Sequence, residues 1–154
     1  MRFLPPALLA AVALAGCVRN IPNTDIPDSL ENRAVLQIVD EYRKAFDRRD
    51  VPGVMGLVSP DYFDDAGTST KEDDVDYAHL PAVLTDTFAR TTQVRLELGV
   101  TGIDVKGDRA TVELFYDVRY RVTTPRREIP KRDSDVQRLI LRRDGQSWRI
   151  ASGL

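Results

Sequence analysis

The sequence contains few of the residues on which metal sites and nucleophilic active sites depend. Its 154 residues include one cysteine, Cys17, and one histidine, His79. A single cysteine excludes an intramolecular disulfide, and together with a single histidine it argues against a zinc site. No serine lies in the motif that holds the nucleophile of a serine hydrolase. The sequence therefore predicts no metal, no cofactor and no Ser-His-Asp triad.

An excess of either charge is also missing. The chain carries 22 basic and 24 acidic residues, for a net charge of −2. Proteins that bind nucleic acid neutralise phosphates with a basic surface, so we expect no nucleic-acid partner. The hydrophobic fraction of 42% and the charged fraction of 30% are ordinary for a soluble globular domain.

Long hydrophobic runs are absent except near the N-terminus, where an apolar run from Ala7 to Ala15 follows the basic Arg2. This run is shorter than the about 20 residues that a membrane-spanning helix needs. A basic start, a short apolar core and small residues at its end are typical of a secretory signal peptide. The run leads into the sequence LAGC at residues 14–17, which resembles the lipobox of bacterial lipoproteins.

The lipobox resemblance implies that residues 1–16 are removed as a signal peptide and that Cys17 is lipidated. A diacylglyceryl group with a further acyl chain, such as palmitate, would hold the protein stably at a membrane. Val18 follows where an aspartate favours inner-membrane retention, so the implied location is the outer membrane of the bacterial cell envelope, facing the periplasm. Residues 17–28 are predicted to be a flexible tether, and residues 29–154 one folded domain.

Helical patterns dominate the first half of that domain. A capping box over residues 28–31 predicts the start of a helix that runs to about Arg49. Asp50 is predicted to cap a short second helix, which has Pro52 in its first turn and ends at residues 59–60. The inner face of the first helix is apolar at helical spacing: Val35, Ile38, Val39, Tyr42, Ala45 and Phe46.

The second half changes to the two-residue period of β-strands. A polar, acidic loop over residues 64–76 and a third helix over residues 77–88 precede this change. Turns are predicted at residues 107–108 and 144–145, and a charged connection at residues 125–131. The expected strands cover residues 94–98, 110–122, 136–141 and 148–150. The order predicts an α+β fold with helices packed on a curved antiparallel four-stranded sheet.

Several short motifs resemble the NTF2-like superfamily, which includes the SnoaL-like cyclases and the steroid isomerases. They are Tyr42 and Ala45 on the first helix, the RDV sequence at residues 49–51, Leu57, the PDY sequence at residues 60–62, and the final hairpin at residues 145–150. The resemblance covers about residues 29–153. It implies a cystatin-like cone in which helices and a curved sheet enclose a pocket.

Compared with the steroid isomerases, the sequence keeps one of three catalytic roles. Tyr42 stands at the position of their helix-one tyrosine, but the general-base position falls near Ala66 and the strand acid near Gln137. An isomerase of that type is therefore not expected. Tyr42 is predicted to pack its ring into the core and to bond its hydroxyl to a strand. The remaining catalytic candidates are Asp61, Asp65 and His79.

Aromatic and apolar residues on the predicted inner faces are candidates to line the pocket: Tyr42, Phe46, Tyr62, Phe63, Leu114, Tyr116, Tyr120 and Trp148. The acidic residues of the loop at 64–76 suggest either a calcium site or a solvated run of charge, and the spacing favours the second. Basic residues on the strands suggest either an exposed, solubilising face or an anionic partner surface.

The sequence thus supports three functional interpretations. The first is a lipid-anchored envelope protein whose non-catalytic domain binds a partner protein or a small apolar ligand. The second is a small-molecule isomerase, dehydratase or cyclase. The third is a structural envelope component that forms a homodimer through its open sheet face.

Overall fold

The computed structural model describes residues 19–154. Cys17, the preceding signal sequence and Val18 lie outside the described residues. None of the helices within residues 19–154 is long and apolar enough to cross a membrane.

Three helices form the first layer. α1 spans Leu30–Asp47, α2 spans Val51–Met55 and α3 spans Leu80–Arg90. The Ser29 hydroxyl accepts a hydrogen bond from the Asn32 amide at 3.0 Å, and the Asp50 carboxylate accepts one from the Gly53 amide at 2.9 Å. Both predicted caps therefore satisfy amide groups that a helix start leaves free. α3 begins three residues later than predicted, because residues 77–79 form a turn.

Six strands follow the helices or connect them. They are β1 (Phe63–Asp64), β2 (Val75–Asp76), β3 (Thr91–Lys106), β4 (Arg109–Thr123), β5 (Glu128–Asp144) and β6 (Ser147–Ser152). β3 to β6 form one antiparallel sheet in chain order, and β1 pairs with β2. The expected α+β class, with helices on a four-stranded antiparallel sheet, is confirmed. Bulges between Thr92 and Arg95 and between Val100 and Gly102 interrupt the register of β3, and such bulges bend a strand.

The predicted strand limits were too narrow. The charged connection expected at residues 125–131 is a turn of four residues, because β5 already pairs with β4 at Glu128. The loop at residues 64–76 begins and ends in the short β1–β2 pair. Val136 lies on the outer sheet face and is 75% exposed. Side chains alternate between the two faces of β5, so Val136 lies on the face opposite to that of Leu139 and Leu141, which point inward.

The core lies between α1 and the concave sheet face. On α1, Val35, Val39, Tyr42 and Ala45 are buried, as the helical spacing predicts. The facing strand residues are the alternate positions of β4 to β6: Ala110, Val112, Leu114, Leu139, Leu141, Trp148 and Ile150. A parallel bridge between Val58 and Ile150 fixes the segment after α2 against β6.

Residues 19–28 form a hairpin that packs on the domain, which corrects the prediction of a flexible tether for this part of the chain. The Asp28 amide donates to the Arg19 carbonyl at 2.7 Å, and the Ile21 amide donates to the Ile26 carbonyl at 2.9 Å. Asn32 Nδ2 of α1 donates to the Pro27 carbonyl at 2.8 Å. Ile26 is only 2% exposed. We call residues 19–28 the N-terminal hairpin.

Candidate functional site

A cavity of about 400 Å³ opens between the C-terminal half of α1, α3, the start of β3 and the C-terminal half of β4. Its apolar lining consists of Phe46, Val94, Val118, Tyr120 and Val122. Its polar lining consists of Asp86, Thr87, Arg90, Thr91 and Asp133. We call it the distal cavity, because it lies at the opposite end of α1 from the N-terminal hairpin.

An aromatic cluster at the C-terminal end of α1 extends to the wall of the distal cavity. The Phe46 ring lies edge-on to Tyr42, with centroids 5.8 Å apart, and to Phe88 of α3, with centroids 5.1 Å apart. Edge-to-face contacts of this kind are favourable beyond the area they bury. They pack Phe46 against Tyr42 and Phe88 where the core ends and the cavity begins.

The charged groups of the cavity are already paired within the protein. Arg90 forms an ion pair with Asp86 one turn earlier, at 2.7 Å. Asp133 accepts a hydrogen bond from the Tyr116 hydroxyl at 3.1 Å. The Thr91 hydroxyl donates to the Thr87 carbonyl at 2.8 Å. The cavity thus offers an apolar wall and a rim of internally satisfied charges, an arrangement suited to binding an apolar molecule.

Tyr42 lies in the core and not in the cavity. It is 7% exposed, and burial raises the pKa of its hydroxyl, with a further contribution from Tyr62. Its ring packs inward as predicted, but within residues 19–154 its hydroxyl makes no hydrogen bond to a strand. Tyr42 is therefore a neutral phenol enclosed in the core.

The three other catalytic candidates lie on the surface. Asp61 and Asp65 are exposed, Asp61 after α2 and Asp65 in the loop after β1. His79 precedes α3, and its Nδ1 lies 2.7 Å from Asp76 Oδ1. The His79 backbone amide is the main reason that the pKa of Asp76 is lowered. None of these residues lines the distal cavity.

Of the eight pocket-lining candidates, Phe46 and Tyr120 line the distal cavity. The other six do not. Tyr42, Tyr62, Leu114 and Trp148 are buried in the core, because side chains of α1 and the sheet fill the proximal part of the cone. Phe63 is 52% exposed, since it alternates with the buried Tyr62, and Tyr116 is half-buried beside Asp133.

The sequence missed the valines and the charged rim of the distal cavity. Val118 and Val122 alternate with outward residues on β4, a pattern visible in the sequence. That pattern does not reveal that α3 ends beside them. The sequence did not indicate a site at Asp86, Arg90 and Asp133, because ordinary surface helices and strands contain such charges.

A second depression, of about 590 Å³, lies beside the acidic loop and the end of the chain. Its carboxylates already accept hydrogen bonds from other groups of the protein. Asp73 accepts hydrogen bonds from the Thr68 hydroxyl at 2.9 Å, and Asp64 accepts one from the Gly153 amide at 2.5 Å. Across residues 19–154, no group of three or more His, Cys, Asp and Glu side chains is placed to hold a metal ion.

Solved structures of several proteins share this architecture. A candidate dehydratase of the NTF2-like family from Streptomyces avermitilis has a TM-score of 0.67 and 16% identity, over 80% of this chain and 93% of that one. A candidate scytalone dehydratase from Novosphingobium aromaticivorans has a TM-score of 0.69 and 12% identity, over 80% of both chains. A ketosteroid isomerase-like protein from Erwinia carotovora atroseptica has a TM-score of 0.65 and 18% identity, over 81% and 94%.

No family model matches the chain, and no curated protein matches it. At identities of 12–18%, the structural likeness concerns the fold alone. The order of helices and strands, the four-stranded antiparallel sheet and these neighbours agree. The chain adopts the cone-shaped α+β fold of NTF2-like proteins.

Proposed function

We propose that this protein is a lipid-anchored envelope protein that binds a small apolar ligand in the distal cavity. The single observation that supports the binding of a ligand is the cavity itself. Its volume of about 400 Å³ falls within the range of small-molecule sites, about 300–1,000 Å³. Its wall is formed by an aromatic ring from a helix and by valines from two strands, and the ion pair of Arg90 and Asp86 lies at the rim.

The anchor is proposed from the sequence. The lipobox-like residues 14–17 follow an apolar run, and Cys17 is the chain's one cysteine. Two or more acyl chains at Cys17 would attach the domain stably to a membrane. Val18 supports the outer membrane, facing the periplasm. Expression in a bacterial host followed by mass spectrometry tests this: we expect an N-terminal, lipid-modified Cys17, and an unmodified chain that retains residues 1–16 would contradict it.

Ligand binding is tested with the neutral apolar fluorophore N-phenyl-1-naphthylamine. We expect saturable binding with a stoichiometry of one per chain. Val118→Trp places a large ring in the cavity and should weaken binding about tenfold or more, because the ligand and the new side chain compete for the same space. Val136→Trp is the matched control, since Val136 lies on the outer sheet face and is 75% exposed.

The control variant should bind the fluorophore as the unmodified protein does. Equal affinity of Val118→Trp and the unmodified protein, with circular dichroism showing both folded, would overturn the assignment of the cavity. Non-saturable binding would overturn it as well.

A second candidate function, a homodimer formed through the open sheet face, is favoured by one observation. Phe115 and Val136 lie opposite each other on β4 and β5, and they are 44% and 75% exposed. Exposed apolar pairs of this kind are typical of protein contact surfaces. Sedimentation of the unlipidated domain should then show a dimer that Val136→Lys converts to a monomer, and a monomer at high concentration would contradict this candidate.

The enzymatic alternative draws no support from the four residues that suggested it. An isomerase, dehydratase or cyclase needs a proton-transferring group within hydrogen-bonding reach of the bound substrate. Tyr42 is enclosed in the core, whereas Asp61, Asp65 and His79 are exposed at other places. The dehydratase and isomerase names of the structural neighbours describe those proteins.

A further inference from the structure

The N-terminal hairpin leaves almost no free chain between the proposed lipid and the folded domain. Arg19 is already held by the hydrogen bond from the Asp28 amide to its carbonyl. Cys17 and Arg19 are separated by Val18 alone. Two peptide units span at most about 7 Å, so a lipid on Cys17 would bring the hairpin to the membrane surface.

The hairpin lies at one end of the cone together with two strand turns. The Arg143 amide donates to the Asp108 carbonyl at 2.8 Å, which joins the end of β5, beside the β5–β6 turn, to the β3–β4 turn. The Arg143 guanidinium pairs with Glu31 in the first turn of α1 at 2.5 Å. We call residues 19–33, 106–109 and 142–146 the anchor end.

The distal cavity lies at the other end of the molecule. α1 begins at Leu30, beside the hairpin, and Phe46 lines the cavity one residue before α1 ends. Sixteen residues of helix at about 1.5 Å per residue separate these two positions by about 24 Å. The β4 residues of the cavity, Val118 to Val122, are likewise at the far end of that strand from the turn at Gly107.

We infer that the anchor end of this domain lies directly against the lipid headgroups, with the distal cavity opening away from the membrane. This inference rests on the proposed lipidation of Cys17. It assigns an interaction surface, the anchor end, and a partner, the lipid surface. It also assigns the source of the ligand: an apolar molecule would enter the distal cavity from the aqueous side and not laterally from the bilayer.

The attachment, and not charge, determines this orientation. The anchor end carries six basic and five acidic residues, which nearly cancel. Several are paired internally, including Arg33 with Asp28 and Arg143 with Glu31. Electrostatic attraction to anionic lipid is therefore small, so the orientation should be the same on neutral and anionic vesicles and should persist at high salt.

Trp148 provides a native probe, because it is the chain's one tryptophan. Its ring lies 4.5 Å from the Arg143 guanidinium, next to the anchor end. We would reconstitute the lipidated protein in phosphatidylcholine vesicles containing dansyl-labelled headgroups and measure energy transfer from Trp148. The matched comparison is the Trp148→Phe, Tyr120→Trp double variant, which moves the tryptophan to the distal cavity. A third sample carries a flexible 12-residue Gly-Ser insertion after Val18.

We expect transfer from Trp148 to be several-fold stronger than transfer from position 120. The insertion should reduce this ratio towards one, since such a linker has a root-mean-square length of about 20 Å. Equal transfer from the two positions without the insertion, or stronger transfer from position 120, would overturn the inference. So would a ratio that disappears at high salt.

Hydrogen exchange of the lipidated protein without substitutions gives the same answer without the double variant. Binding to vesicles should slow exchange in residues 19–33, 106–109 and 142–146 and leave residues 86–94 and 118–122 unchanged. The opposite pattern would overturn the inference. If Cys17 is not lipidated in the bacterial host, the proposed anchor is wrong. The orientation is then measured on the chain that starts at Cys17, with its one thiol coupled to a maleimide lipid. A failure of the proposed lipidation is thereby distinguished from a failure of the inferred orientation.

Discussion

The structure predicts that Ile26→Ala will destabilise the domain substantially, although it lies in a stretch whose composition resembles a tether. Ile26 is 2% exposed, within a hairpin whose backbone is hydrogen-bonded at both ends. The substitution removes three carbon atoms at about 0.8 kcal/mol each and leaves a cavity in their place. We expect the free energy of unfolding to fall by about 2–4 kcal/mol.

The assay is urea unfolding of the chain that starts at residue 17, with Cys17→Ser to prevent intermolecular disulfides. Trp148 fluorescence reports the transition. The matched control is Leu30→Ala, four residues later, because Leu30 is 87% exposed. Exposed substitutions of this kind change stability by about 0.5 kcal/mol or less. The urea dependence, m, should be the same for both variants and the parent protein.

Equal stabilities of the Ile26→Ala and Leu30→Ala variants would refute the reasoning. The hairpin would then behave as a flexible tether, and the orientation inferred for the membrane-bound domain would be lost with it. The distal cavity does not depend on the hairpin, so the ligand proposal would stand. The experiment therefore separates the two proposals.

Two further substitutions test contacts that hold the sheet. The Arg132 side chain hydrogen-bonds to Asp117 and lowers the pKa of that carboxyl. Asp117 therefore stabilises the fold above its unfolded pKa of about 3.9, and this contribution is lost as the pH falls through the folded pKa. In acid titrations followed by circular dichroism, Asp117→Asn should lose less stability between pH 6 and pH 3 than the parent protein, and an equal loss would contradict this. Gly153 has φ of +98°, and an added Cβ would lie 2.2 Å from the Arg138 carbonyl oxygen, so Gly153→Ala should lower the melting temperature more than Gly107→Ala, whose Cβ would meet open space.

The elements that the sequence predicted well have strong periodic patterns. The buried positions of α1 at 35, 39, 42 and 45 follow from apolar residues at helical spacing. The alternation from Ala110 to Val122 likewise predicted β4. Both patterns record which side of an element faces the core, and this is a local property of the chain.

Boundaries were less accurate, because pairing with a neighbouring strand decides where a strand ends. Glu128, Pro130 and Lys131 are charged or unfavourable for a sheet, yet they pair with Thr123, Arg121 and Tyr120 of β4. The N-terminal hairpin shows the same effect. Pro, Asn and Asp are typical of loops, but the burial of Ile26 and the bond from Asn32 to the Pro27 carbonyl order the segment.

The site was less predictable than the fold for a geometric reason. Tyr42 and Phe46 are one helical turn apart on the predicted inner face of α1, so the sequence pattern predicts the same environment for both. Tertiary packing separates them: Tyr42 is covered by the core, whereas Phe46 lies at the point where α1 passes the end of the packed region. Which of two neighbouring aromatics lines a cavity depends on what lies across from them.

By itself, the sequence determined the α+β class, the inner faces of the helices and strands, and the motif around Cys17, because each of these depends on residues that are close together in the chain. Only the tertiary structure decided that side chains fill the part of the cone between α1 and the sheet. It also decided that the distal cavity lies between α1, α3 and β4, and that residues 19–28 pack on the domain. These features depend on contacts between segments far apart in sequence, and no local pattern encodes the distance between them.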